Sequence, residues 1–524
     1  MKITKYTAIA ALSALTCLGA FAQDFDDFGD FGDIGGGTSS GVSIPVSISG
    51  EAGIEARGYL DTDSTKEGIN RENGIKDINT TNKPNAKLNF KYSGATVEAE
   101  VNLKFDRNTI ENHKADILDE AIIRGIFMDS ALTVEAGKMR TIWGKGDRLH
   151  VIDNFNADDY SDFIVPLYKD RRIAVPMLKT SYAFPRNNMV LEAIWTPGME
   201  ADRFATDGRW TPAKVANLKG IVEGVYGAKY AAAGLEAKTE TDPTKAAQLY
   251  ASQMSILSEA SKVSSNPSSL YPDTNSLKYN QAGLRLTGTV GNFDLGASYY
   301  YGHYKQVSVN SEKTILGQKT GKPVLPELDF DRKQTFGLEA ATIFWKLNLR
   351  GELCYNLTAD TDGTNPWVHN NSIQWLGGFD IDLPISNINV NIQETGTYIL
   401  NKDKVKNGDG IKEVLGAPYA SALSYDVDYD AKDRYTTNHL VINITDSWKN
   451  GKIEPEVTAL WSIERGDLAV MPKVNFKPNQ DITFTVSGLL MYAKDENSEF
   501  AEWSGKGDGN FNNSYIGVGV KCKF

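Results

Sequence analysis

The chain has 524 residues, a formal charge of −12, 41% hydrophobic residues and three cysteines. So acidic a chain is a poor binder of nucleic acid, and so few cysteines exclude a disulfide scaffold. No stretch reaches the ~18 consecutive apolar residues of a membrane-spanning helix, yet a mean hydropathy of −0.35 does not exclude a β-barrel, whose lumen and loops are polar.

Lys2 and Lys5 precede an apolar run from Thr7 to Phe21 and then Ala20-Phe21-Ala22. That order of charged, apolar and small residues predicts a secretory signal peptide over 1–22. Thr16 before Cys17 fits a lipidation site poorly. Loss of Lys2 and Lys5 takes the charge from −12 to −14. Residues 23–41, with Asp24-Phe25-Asp26-Asp27-Phe28-Gly29 and Gly35-Gly36-Gly37, are too acidic and glycine-rich to bury a core. They are expected to form a flexible periplasmic leader. Cys354 and Cys522 fall on strands assigned to opposite faces, so no disulfide is expected.

From residue 42 onward apolar and polar residues alternate, the signature of strands with one apolar face. The first strand is expected at about 42–60, with Ile48, Ile54 and Ala56 against Glu51, Glu55 and Arg57. Strands follow at about 85–93 and 95–105, where Val97, Ala99, Val101 and Leu103 alternate with Glu98, Glu100, Asn102 and Lys104. The next fall at about 118–127, 131–139, 173–184, 188–196, 280–290 and 293–304. Then come 334–344, 345–357, 372–383 and 385–399; in the last, Ile388, Val390 and Ile392 alternate with Asn387, Asn389 and Asn391. The series ends with 436–446, 452–464, 467–476, 480–492 and 513–524.

Short turns and long connections alternate almost throughout, the exception being Arg465-Gly466. That alternation predicts an all-β fold, a closed antiparallel transmembrane barrel over 42–524. It has about eighteen strands (sixteen if a hairpin is miscounted), with both termini periplasmic and long loops outside. Eighteen strands leave room for an aqueous channel. Trp195, Phe344, Trp345, Trp461 and Phe476 near strand ends fit interfacial girdles. Glu98, Glu100, Arg124, Arg350, Asn389 and Asn391 are expected to line the lumen. The signs of charge are mixed there, which argues against a one-sign selectivity ring.

One long connection, about 197–279, has helical composition over Ala213–Lys229 and Pro243–Val263, with Asp242-Pro243 as a helix start. These helices could cap the mouth, plug it or contact a partner. Asp360 and Asp362, in Asp360-Thr361-Asp362-Gly363, are weak Ca²⁺ candidates, since no Glu closes the loop; no other cofactor is implied. The five histidines are scattered, and no HExxH, GxSxG or phosphate loop occurs, so an enzyme is not expected.

The segment Asp119-Glu120-Ala121, then Gly137-Lys138-Met139-Arg140-Thr141-Ile142-Trp143-Gly144-Lys145, then Asn154-Phe155-Asn156-Ala157-Asp158-Asp159, resembles porin-like families of Gram-negative outer membranes. In these a Gly-Arg/Lys…Trp-Gly segment enters a loop rich in Asn and Asp. The likeness covers about 118–178, and Ala157 stands where the pattern has proline. A last strand ending in Phe524 also resembles the assembly signal of such barrels. The resemblance implies that loop 140–172 folds inward and narrows the pore. Arg140, Lys145, Asp147, Arg148, Asp153, Asp158, Asp159, Arg171 and Arg172 would then line a constriction; the plainer reading is an outward loop with solvated charges. The implied partners are outer-membrane lipid, the barrel-assembly machinery and small solutes. Passive diffusion of small hydrophilic solutes is the leading function. A surface-exposed adhesive barrel and a transporter of hydrophobic solutes are the alternatives.

Overall fold

A computed structural model describes residues 46–60, 79–206, 208–265, 267–320, 324–504 and 509–524. The expected signal peptide and leader lie outside these residues. The first strands are β1 (Val46–Tyr59), β2 (Asn79–Ser93), β3 (Val97–Asp106), β4 (Leu118–Phe127), β5 (Leu132–Met139) and β6 (Val175–Phe184). Next come β7 (Met189–Thr196), β8 (Gln281–Val290), β9 (Phe293–His303), β10 (Arg332–Phe344), β11 (Leu347–Thr358) and β12 (Ser372–Asp382). The wall is completed by β13 (Asn389–Ile399), β14 (Thr436–Thr445), β15 (Ile453–Ser462), β16 (Asp467–Phe476), β17 (Ile482–Tyr492) and β18 (Tyr515–Lys523).

These make one 18-stranded sheet. Each strand pairs antiparallel with the next, and β18 pairs with β1, from Glu51 opposite Lys523 to Tyr59 opposite Tyr515. Phe524 and Gly50 exchange two backbone hydrogen bonds, at 2.9 and 3.0 Å, at the end of that seam. Among the described residues no edge of this sheet is left unpaired, so it is the closed antiparallel barrel that the alternation predicts.

Two strands differ from expectation: β13 begins at Asn389, four residues after the predicted 385, so Asn387 and Ile388 lie in the turn before it. β2 begins at Asn79, six residues before the predicted 85. Asn79–Pro84 carry no clean alternation, and a proline cannot donate to a ladder. Pro84 is tolerated because it pairs only with Ile54 of β1; the β3 ladder starts at Asn85.

The outward parity is apolar. Ile123, Leu178, Leu284, Leu338, Val486 and Val518 are all exposed. At one rim Phe127, Phe293, Phe344, Trp345, Trp448 and Phe476 stand out beside the short turns. A soluble protein would not expose so wide an apolar band, whereas hydrocarbon admits a closed sheet whose backbone groups are all paired. The molecule is therefore a membrane-spanning barrel of the outer-membrane kind. The short turns sit at one rim with residues 46 and 524. In the two-residue turn between β10 and β11, Trp345 adopts φ +58°, as the right-handed twist of a hairpin requires.

Long connections occupy the other rim, apart from the tight turn before β16, where Gly466 has φ +77°. In 197–280 a helical hairpin is formed by α1 (Ala213–Thr239) and α2 (Pro243–Ser265). Asp242 Oδ1 accepts the Thr244 amide at 2.8 Å and so starts α2. Gln253 of α2 donates to the Tyr230 carbonyl of α1 at 3.1 Å. The root of α1 is tied to the last long loop, where Glu502 accepts the Lys214 amide at 3.0 Å.

Candidate functional site: the loop seated in the barrel

The connection between β5 and β6 runs inward, and the residues at its two ends show why. Met139, Val175, Met177, Ile194, Tyr300 and Cys354 face the lumen and are buried. In an open bore they would face water at a cost of roughly 25 cal/mol per Å². Trp143, Ile152 and Phe155 of the loop cover them. Phe155 lies edge-on to both Trp143 and Tyr300, with ring centroids 5.0 and 5.2 Å apart. Gly283 of β8 leaves the space: a Cβ there would lie 2.7 Å from the Trp143 ring and 2.8 Å from the Phe155 ring. The Trp143 indole N–H donates to Glu192 of β7.

The loop then reaches the opposite wall. Glu352 of β11 accepts backbone N–H groups from Lys145 and Gly146 on Oε1, both at 2.8 Å. Its Oε2 accepts those of Val151 and Ile152 at 2.9 and 3.3 Å. Gln393 of β13 accepts the Arg148 amide at 2.9 Å and the Leu149 amide at 3.3 Å. Arg148 pairs with Glu456 of β15 at 2.7 Å. Asp147 accepts from Asn391 at 2.6 Å and pairs with Arg350, which also holds Asp380. On the return, Asp162 takes Arg57 of β1 at 2.7 Å and Lys83 of β2 at 2.5 Å. Asp170 takes Lys87 at 3.0 Å.

The residues expected at a constriction divide into two groups. Arg140 is partly buried at the loop's root, bound to Asp119 and to the Arg172 carbonyl, with Glu120 at 3.3 Å. Arg172 sits between Asp153 at 3.0 Å and Asp158 at 3.4 Å, and Asp153 also accepts the Tyr168 hydroxyl at 2.8 Å. Asp159 faces Arg203 at 3.4 Å. These five tie the loop to itself and to its neighbours. Of the other four, Arg148 and Arg171 border the cavity between loop and wall, Asp147 is partly exposed beside Arg350, and Lys145 meets the wall through its backbone N–H.

The inward polar residues are interlocked. Arg124 binds Glu98 at 2.7 Å and Glu135 at 2.6 Å. Glu100 accepts from Asn89 at 2.9 Å and Asn102 at 3.0 Å, and Asn389 donates to Asp382 at 2.9 Å. Arg285 holds Glu339 at 2.6 Å. Between loop and wall there remains a cavity of about 360 Å³, bounded by the loop from Ile164 to Arg171 and by inward residues of β1 and β14–β18. The inward parity there also includes Leu460, Met471, Leu489 and Tyr515, apolar positions absent from the expected lumen lining.

Of the Ca²⁺ candidates, Asp360 accepts backbone N–H groups from Gly363, Thr364 and Asn365 at 3.0–3.1 Å, which uses its carboxylate to shape the turn. The Asp362 carbonyl accepts from Lys404. Among the described residues no group of three or more His, Cys, Asp or Glu is placed to hold a metal. Asp426, in the long loop before β14, has its carboxyl pushed up to about 7 by burial, with Asp428 and Asp360 adding negative charge. Burial alone would lower the pKa of His369, but the Asp331 carboxylate at 2.6 Å and nearby Asp428 hold it above the ordinary value. His439 is taken up by Glu499 at 2.7 Å. Cys354 and Cys522 are not joined in a disulfide.

An 18-stranded closed sheet with an apolar exterior and a loop seated in its lumen defines a transmembrane β-barrel of the outer-membrane class. The chain belongs to the family described as "Protein of unknown function (DUF1302)", which matches residues 51–502. No curated protein matches the chain. Among solved structures, it is similar to Acinetobacter baumannii OccAB3, with 9% identity, 91% of this chain and 98% of that chain covered, and a TM-score of 0.40. It is similar to Salmonella typhi OmpF, solved in complex with daunomycin, with 8% identity, coverage of 91% and 97%, and a TM-score of 0.36. It is also similar to a mutant of Rh. blastica porin, with 9% identity, coverage of 91% and 100%, and a TM-score of 0.33.

Proposed function

We propose that the protein is a passive, porin-like channel of the outer membrane that admits small solutes through a bore narrowed by loop 140–172. The observation that carries this reading is the seating of the loop on Glu352, Gln393 and Glu456, wall residues far from its own roots at β5 and β6. A surface loop has no need of anchors inside the bore. In this reading Lys145, Asp147, Arg148 and Arg171 set the constriction. Arg140, Asp153, Asp158, Asp159 and Arg172 hold it in shape, and Glu98, Glu100, Arg124, Arg350, Asn389 and Asn391 form the hydrated wall. The short-turn rim faces the periplasm. The cleaved signal peptide delivers the chain there, and the barrel-assembly machinery inserts it.

The test is conductance of the purified protein in planar bilayers. Discrete, voltage-stable openings support the channel. Electrical silence from correctly inserted protein overturns it in favour of an adhesive surface barrel. A second reading, passage of hydrophobic solutes, is favoured by one observation, the apolar inward residues Leu460 and Met471 at the cavity. Liposome swelling with sugars against uptake of an apolar solute separates the two.

A further inference from the structure

We infer that the cavity beside the loop is a binding site for an amphipathic organic anion, a carboxylate bearing a short alkyl or aromatic tail; this rests on the channel reading and names its solute class. The cavity of about 360 Å³ lies in the size range of small-molecule sites. Its walls are two-sided in character. Leu460 and Met471 come from the barrel, and Leu149, Ile164, Val165 and Leu167 come from the loop. Elsewhere in the lumen inward apolar side chains are covered: Met177, Ile194 and Tyr300 lie under Trp143 and Phe155. Here Leu460, Met471, Ile164 and Val165 are only partly buried, packed on one side against the Phe163 cluster and bordering the cavity on the other, and water alone gives that open side no compensation.

The charged residues bordering this space are Arg148, Arg171, Lys473 and Lys521 against Glu456 and Glu55, the latter held by Arg57 at 2.9 Å. Glu456 is shared by Arg148 at 2.7 Å and Lys473 at 2.6 Å, two cations on one carboxylate. Arg171 has its nearest carboxylate, Asp158, at 3.9 Å, and Asp158 also serves Arg172 at 3.4 Å. The Arg171 guanidinium donates to the Ile164 carbonyl at 3.3 Å, while its buried Nε has no hydrogen-bond partner among the described residues. A sugar would leave the apolar groups uncompensated, an apolar solute would leave the excess of cations over carboxylates unbalanced, and a cation would add to that excess. A carboxylate with an apolar tail matches both halves, with its head toward Arg171 and Lys473 and its tail along Leu460 and Met471.

The test uses the full-length barrel in planar bilayers with hexanoate, gluconate or hexylammonium added. Hexanoate is expected to interrupt the current at concentrations at least about tenfold below those at which gluconate acts, and hexylammonium is expected to have no such effect. Met471→Gln and Lys473→Gln are each expected to weaken the hexanoate effect by about tenfold, the scale of one lost apolar or ionic contact. Should Met471→Gln fail to fold, Lys473→Gln, at a partly exposed position, carries the test alone. If hexanoate and gluconate act alike on a conducting channel, the site falls and the channel stands. If nothing conducts, the channel reading falls, and dialysis of labelled hexanoate against nanodiscs holding the protein decides the site separately. Saturable uptake above empty discs keeps it, and none removes it.

Discussion

Glu352 Oε1 accepts the Gly146 amide at 2.8 Å, although the two residues are 206 positions apart in the chain. This contact joins the loop to the far wall, and the same carboxylate takes three further amides. Glu352→Gln is expected to release the loop, because an amide presents N–H groups to N–H groups on one side. Each unmatched buried amide costs about 1–3 kcal/mol. Single-channel conductance of the variant should rise above that of the native protein, and protease should cut within 140–172; unchanged conductance with an intact loop would refute the anchoring role.

Gly144 has φ +113°, and a Cβ on it would lie 2.3 Å from Glu352 Oε1. Gly144→Ala is therefore expected to displace the carboxylate as well as strain the backbone, at about 1–3 kcal/mol. The variant should reproduce the conductance of Glu352→Gln in direction, and combining the two should add little, since both break the same contact.

Trp143 is fully buried between loop and wall. Trp143→Ala should cost about 3–5 kcal/mol. The loss should appear as loosening of the loop rather than of the barrel, whose ladder it does not touch. Hydrogen exchange would show this as lost protection confined to 140–172; general loss across β5–β11 would contradict it.

The long loop 400–435 should respond to pH. The Asp426 carboxyl is raised by burial from its ordinary value of 3.8 to about 7, so its stabilising contribution is complete below about pH 4 and is lost as pH rises through about 7. His369, raised by Asp331 and Asp428, loses its contribution as pH rises past its own elevated pKa. Both act in the same direction. A fluorescent label at Ser424 should therefore be less mobile at about pH 5 than at about pH 8. Asp426→Asn should flatten the dependence while keeping the immobile state; a label equally mobile at both pH values would refute the coupling.

The wall was legible because lipid outside and water inside impose a strict parity on each strand, as in Val97–Asp106 and Asn389–Ile399. β2 was cut short because Asn79–Pro84 extend beyond β3 and have only one neighbour to satisfy. The anchors of the loop were harder to see, since lumen charge reads as solvated wall whatever it binds. A signal did exist. The turn at Trp345–Lys346 sets Glu339 directly opposite Glu352, and like charges in register are unfavourable unless each has a partner elsewhere. Arg285 supplies the first partner and the loop amides the second. The apolar residues Leu460 and Met471 share the inward parity with Glu456 and Lys473, and counting charges alone hid them. Trp143 and Phe155 carried their message in the resemblance, but their landing place at Gly283 depends on how the sheet closes, which no local pattern encodes.

The segment from Met139 to Val175 crosses the bore and is fastened at several points around it, so it also acts as a strut inside a thin-walled tube. A cylinder braced across its diameter resists being squeezed into an oval by the lateral pressure of the surrounding bilayer. Widening the bore then means unhooking a mechanical member, with the cross-section of the whole tube softening as it goes.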